Sequence, residues 1–66
     1  MTYELLTLQE VCRITTLSRS SIYLQINRGD FPRPLKMGSD ARAARWLQSD
    51  VDAWIQRRID ERESMA

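Results

Sequence analysis

The chain has 66 residues, 10 basic and 9 acidic, with no histidine, a single cysteine and a net charge of +1. One domain of this length folds only marginally and has no room for a large enclosed pocket together with the scaffold that pre-organises catalytic groups. Without histidine, a paired-carboxylate pocket or a glycine-rich phosphate loop an enzyme is not expected, and the lone Cys12 excludes both a disulfide framework and an ordinary zinc site.

The first helix has a strong start signal. Thr7-Leu8-Gln9-Glu10 is a capping box, in which the Thr7 hydroxyl accepts from the Glu10 amide and the Glu10 carboxylate reaches back to Thr7. Leu6 and Val11 stand at the positions of a hydrophobic staple, and Leu8, Val11, Cys12 and Thr15 follow the spacing of a buried stripe. Cys12 is therefore expected in the core as a small hydrophobe. The β-branched run Ile14-Thr15-Thr16 prolongs a helix poorly and should end this one.

Ser18 then caps a second helix, with Leu17 and Ile22 repeating the staple. That helix runs to about Arg28 and stops at Gly29, which takes a positive φ without a Cβ penalty. Two helices joined by so few residues cross steeply and leave one face of the second exposed. Ile22 and Ile26 point inward; Ser20, Leu24, Asn27 and Arg28 lie opposite, with Arg19, Ser21 and Tyr23 on the flanks.

Phe31-Pro32-Arg33-Pro34 holds the chain extended, because both prolines fix φ and disfavour helix in the residue before them. Leu35-Lys36-Met37 alternates as a strand, Gly38-Ser39-Asp40 is turn material, and Arg45-Trp46-Leu47 returns as the partner strand with Trp46 facing the core. The predicted hairpin spans about residues 35–47, carries Arg42 at its tip and has Lys36 and Arg45 on its arms. A third helix is expected over about 49–62. It is capped by Ser49 with Asp52 completing a second capping box, and Trp54 and Ile55 close the core. Its end should fray after about Arg62, with Arg57 and Arg58 pairing with Asp60 and Glu61.

Charge is distributed unevenly along this plan. From Cys12 to Trp46 seven basic residues stand against two acidic ones, whereas from Ser49 to Ala66 three basic residues stand against five acidic. One face is left for phosphates and another repels them. The expected fold class is thus mainly α with a small β-hairpin: a helix–turn–helix over about residues 7–28 flanked by a basic wing, in a single domain over 1–66.

Such a unit places its second helix in the DNA major groove. Arg19 lies in the first turn, where a guanidinium bonds guanine O6 and N7 together. Asn27 suits either adenine or a phosphate, and Arg28 extends the same face. Ser20 and Ser21 suit phosphate contacts at a helix N-terminus, or simply fill a first turn. Tyr23 either packs over the crossing of the two helices or turns its hydroxyl to a phosphate. Leu24 meets a thymine methyl or is a lone exposed apolar residue. Lys36, Arg42 and Arg45 are the wing candidates for phosphate or minor-groove contact.

The run Leu17-Ser18-Arg19-Ser20-Ser21-Ile22-Tyr23, then Gly29, Phe31-Pro32-x-Pro34, Lys36-x-Gly38, Arg45-Trp46 and Asp52-x-Trp54-Ile55, resembles the AlpA family from about Leu6 to Arg62. The chain departs from that pattern at Leu24, where similar proteins carry a basic residue, at Gln25, and in a slightly longer turn between Gly38 and Arg45. The resemblance implies a winged helix–turn–helix like that of excisionases and MerR-type regulators. It also implies a phage- or prophage-encoded regulator acting near a promoter or attachment site. An excisionase that bends an attachment site, and a protein-interaction module, are the competing expectations.

The expected partner is double-stranded DNA. A domain making few phosphate contacts needs a second copy on DNA, or contact with an integrase or RNA polymerase. The cysteine usage and the lack of an apolar run or basic-then-apolar leader suggest a cytoplasmic protein, with no membrane association, cofactor or small-molecule ligand.

Overall fold

In the computed structural model, which describes residues 2–65, the first helix forms where its capping box places it. Helix α1 spans Leu8–Thr15. The Thr7 amide donates to the Glu10 carboxylate at 3.0 Å, and the Glu10 amide donates to the Thr7 hydroxyl at 3.1 Å. The chain leaves α1 through Thr16 at φ 61°, a left-handed conformation that a β-branched residue adopts only under strain.

Ser18 caps α2, Arg19–Asn27, its hydroxyl accepting from the Ser21 amide at 3.2 Å. The helix ends in a Schellman motif. Gly29 at φ 79° donates to the Ile26 carbonyl at 3.0 Å, and Asp30 donates to that of Gln25 at 2.8 Å.

The remaining chain builds a sheet larger than the expected hairpin. Strands β2, Leu35–Lys36, and β3, Ala44–Leu47, pair antiparallel around a 3-10 turn at Ala41–Ala43. A further strand, β1 at Leu5–Leu6, lies on the other side of β3, with Leu5 opposite Leu47 and Leu6 opposite Trp46. The order is β1-β3-β2, so the residue read as a helix staple is also a strand residue.

The third helix, α3, spans Gln48–Met65. It does not begin with a Ser49 cap: β3 runs directly into it, and the Gln48 amide is satisfied by the Glu4 carbonyl at 2.9 Å. That bond takes one of the four N–H groups a helix start leaves open, and among the described residues neither the Ser49 nor the Asp52 side chain makes a capping hydrogen bond. The helix also extends past Arg62, to Met65.

Leu6, Val11, Ile22, Phe31, Trp46, Val51 and Trp54 form the core, so every helix and two of the strands contribute to it. Val11, Ile22, Trp46 and Val51 are wholly enclosed, and full burial of one such aliphatic side chain contributes roughly 1.5–3 kcal/mol. Leu8, Cys12, Leu17, Ile26 and Ile55 pack around them. Cys12 is half-buried at the margin of this cluster and not inside it.

The two indole N–H groups tie the link between α2 and β2. Trp54 Nε1 donates to the Asp30 carbonyl at 2.6 Å and Trp46 Nε1 to the Pro32 carbonyl at 2.9 Å. Between them Phe31 is buried edge-on to Trp54, ring centroids 4.9 Å apart. The position of the β2–β3 hairpin relative to α2 is therefore set by bonds to the core.

Candidate nucleic-acid interface

Helix α2 buries one side and offers the other. Ile22 is enclosed and Ile26 half-buried, while Ser20, Leu24, Asn27 and Arg28 are exposed along the opposite face, as the spacing predicts. Leu24 is 50% exposed in the middle of this polar face.

The serines of the first turn differ. Ser20 is exposed, with its hydroxyl 3.3 Å from that of Ser18. Ser21 is half-buried, and its hydroxyl accepts from Ser18 Oγ at 3.0 Å. Ser21 thus belongs to the cap network, and its hydroxyl hydrogen is what it has left to offer outward.

Between α2 and the hairpin lies an open cleft of about 350 Å³. Its walls come from Arg19 and Tyr23 of α2, from Arg42, Ala44 and Arg45 of the hairpin, and from Thr7, Leu8 and Gln9 at the start of α1. Three arginines meet there, and among the described residues no carboxylate lines it. Tyr23, 44% exposed, also lines a second cleft toward Pro34, Lys36 and Ser39. It stands at the junction of helix and hairpin, facing the start of α1 as well.

The hairpin arginines have separate duties. Arg45 Nη1 donates to the Arg42 carbonyl at 2.7 Å and to the Ala44 carbonyl at 2.8 Å, so its guanidinium braces the turn from inside. The Arg42 amide donates to the Asp40 carboxylate at 2.9 Å, and the Ala43 amide to the Asp40 carbonyl at 2.9 Å. A Cβ at Gly38 would lie 3.3 Å from that of Ala43, a close approach across the hairpin that favours glycine. These bonds hold the Arg42 backbone and leave its side chain exposed.

Glu10 stands in the first turn of α1, beside this region. The Thr7 amide and hydroxyl hold its carboxyl below the usual carboxylate range, and the positive charges of Arg13 and Arg45 add to the effect.

Of the nine candidate residues, the fold gathers Arg19, Tyr23, Arg42 and Arg45 at one cleft and Lys36 beside it. Asn27 and Arg28 lie at the far end of α2. The sequence reading did not single out Thr7 and Gln9 for this face. The capping box that fixes α1 marked where they begin, but nothing local revealed that α1 starts against the hairpin. On α3, Arg58 pairs with Glu61 at 3.0 Å and lies over the Trp54 ring, while Gln56 bonds Asp60 at 3.1 Å. Among the described residues Arg57 does not make the pair with Asp60 expected of it.

Among the described residues no helix is long and apolar enough to cross a membrane, and no cluster of potential metal ligands is present. Residues 4–59 match the family described as prophage CP4-57 regulatory protein (AlpA). The chain is also similar to the uncharacterized protein ORF88 of Enterobacteria phage P4, with 43% identity over 54 residues covering 82% of this chain and 59% of that protein. It therefore spans less than two thirds of that relative's length. No solved structure matches.

Proposed function

Because the chain belongs to the AlpA family of prophage regulatory proteins, we propose that it is a sequence-specific DNA-binding regulator of a prophage or related mobile element, working as a winged helix–turn–helix. Helix α2 enters the major groove, and the β2–β3 hairpin acts as the wing on the adjoining backbone or minor groove. The contacts come from Arg19, Ser20, Ser21, Tyr23, Asn27 and Arg28 on the helix and from Lys36, Arg42 and Arg45 on the wing. Residues 1–66 act as one DNA-binding unit.

The observation that carries this reading is a polar, exposed helix face beside a cleft lined by three arginines and no carboxylate. Helix-face side chains supply hydrogen bonds to base edges, and guanidinium groups beside them supply the phosphate attraction that dominates affinity. A phage protein as a relative agrees with the mobile-element setting.

The test is to incubate the purified protein with sheared DNA of its own genome near physiological salt, then recover and sequence the bound fragments. Enrichment of one promoter region supports the regulator. Clustered direct repeats at an attachment site with cooperative loading support an excisionase instead. No enrichment by a folded protein would sink DNA binding and leave a protein-interaction module.

A further inference from the structure

Arg19 and Arg42 share a feature that Arg45 and Arg58 lack. Both line the cleft between α2 and the hairpin, and among the described residues neither guanidinium has a hydrogen bond or an ion pair. Arg45, on the same cleft, has Nη1 committed to two backbone carbonyls, and Arg58 is paired with Glu61. The backbones behind the two free guanidiniums are fixed, one by the Ser18 cap and the other by the Asp40 turn.

We propose that Arg19 and Arg42 close from opposite walls of this cleft on one and the same DNA backbone phosphate. The inference rests on the DNA-binding reading above and gives Arg19 a different duty from the guanine contact its place in the first turn suggests. Two guanidinium forks on one anion form charge-assisted bonds with geometric demands. Such a clamp sets the register of α2 in the groove relative to the wing. Sequence discrimination then rests on the outer face of α2, beyond the clamp.

Counterion release separates one shared phosphate from two independent ones. Each phosphate neutralised on duplex DNA contributes about 0.9 to the slope of log K against log salt. The probe is a duplex of the recovered fragment, titrated across salt by fluorescence anisotropy with wild type, Arg19→Ala, Arg42→Ala and the double variant. Circular dichroism checks that each is folded, and Arg57→Ala on α3 serves as control.

With a shared phosphate, either arginine alone still neutralises it. Each single variant then binds more weakly with nearly the wild-type slope, and the double variant loses about 0.9. Arg19→Lys keeps the wild-type preference among base-substituted duplexes. The clamp is overturned if each single variant loses about 0.9 and the double about 1.8, if the double variant keeps the full slope, or if Arg19→Lys relaxes base preference. A wild-type slope of zero would remove the DNA-binding reading itself, and the clamp with it.

Discussion

Trp54 donates its indole N–H to the carbonyl of Asp30, the last residue of the Schellman motif that ends α2, at 2.6 Å. Trp46 makes the equivalent bond to Pro32. One indole comes from α3 and the other from β3, so the whole core grips the short segment that joins the proposed recognition helix to the wing. A regulator that docks two elements on one duplex needs their spacing fixed before binding, since ordering them afterwards costs affinity.

Trp54→Phe tests this grip. The substitution keeps a ring against Phe31 but removes the indole donor to the Asp30 carbonyl and some volume. We expect a loss of about 1–3 kcal/mol, which a domain of this size shows as a fall in melting temperature of roughly 4–8 °C per kcal/mol. Thermal unfolding measures it. An unchanged midpoint would mean that water replaces the indole without cost.

Two positions with left-handed backbone predict changes of opposite sign. A Cβ at Gly29 would meet nothing within 4 Å, so the penalty of Gly29→Ala comes from backbone conformation alone, about 1–2 kcal/mol. At Thr16 the strain is already present, and Thr16→Asn, which tolerates this conformation, should stabilise by about 0.5–1 kcal/mol. Urea unfolding of both variants checks the pair.

Glu10 makes stability depend on acidity. Its carboxyl is held below the usual range in the folded chain, chiefly by the Thr7 amide and hydroxyl, so folding favours the ionised form. That contribution is complete above its unfolded value and is lost as pH falls through the depressed folded value. Glu10→Gln keeps a neutral capping partner. The stability gap between wild type and Glu10→Gln should be constant above about pH 5 and close in more acid solution. A gap that does not vary with pH would contradict the assignment.

Features written in neighbouring residues were legible in advance. The box at Thr7 and Glu10, the Ser18 cap and the stop at Gly29 are local, and each lies where its chemistry requires. Strand β1 was not legible, because two residues carry no alternation and Leu5 and Leu6 pair with Leu47 and Trp46, far along the chain. Ser49 and Asp52 imitate a capping box, but β3 runs directly into α3, so the helix begins one residue earlier, at Gln48, whose amide meets the distant carbonyl of Glu4. At the interface, residue types identified the basic side chains, and only the fold separates Arg45, turned onto backbone carbonyls, from Arg42, left exposed.

That separation gives the last prediction. Arg45→Ala removes two charge-assisted bonds to the carbonyls of Arg42 and Ala44, so the hairpin turn loosens even without DNA. The amides of Met37 and Ala43, bonded across and within the turn at 2.9 Å, report it directly. Their hydrogen exchange should quicken about fivefold or more, corresponding to roughly 1 kcal/mol of lost local stability. Arg42→Ala should leave those amides unchanged, because only its backbone takes part in the turn. Both variants weaken DNA binding in the proposed complex, Arg42→Ala by losing a phosphate contact and Arg45→Ala by freeing the loop that presents it. Lysine at position 42 should leave the turn amides protected, since only the Arg42 backbone takes part in the turn. Lysine at 45 puts a compact charge on a flexible stem in place of the planar fork and should restore little of the protection. Full protection of those amides in Arg45→Lys would show that Arg45 acts as a charge and not as a brace.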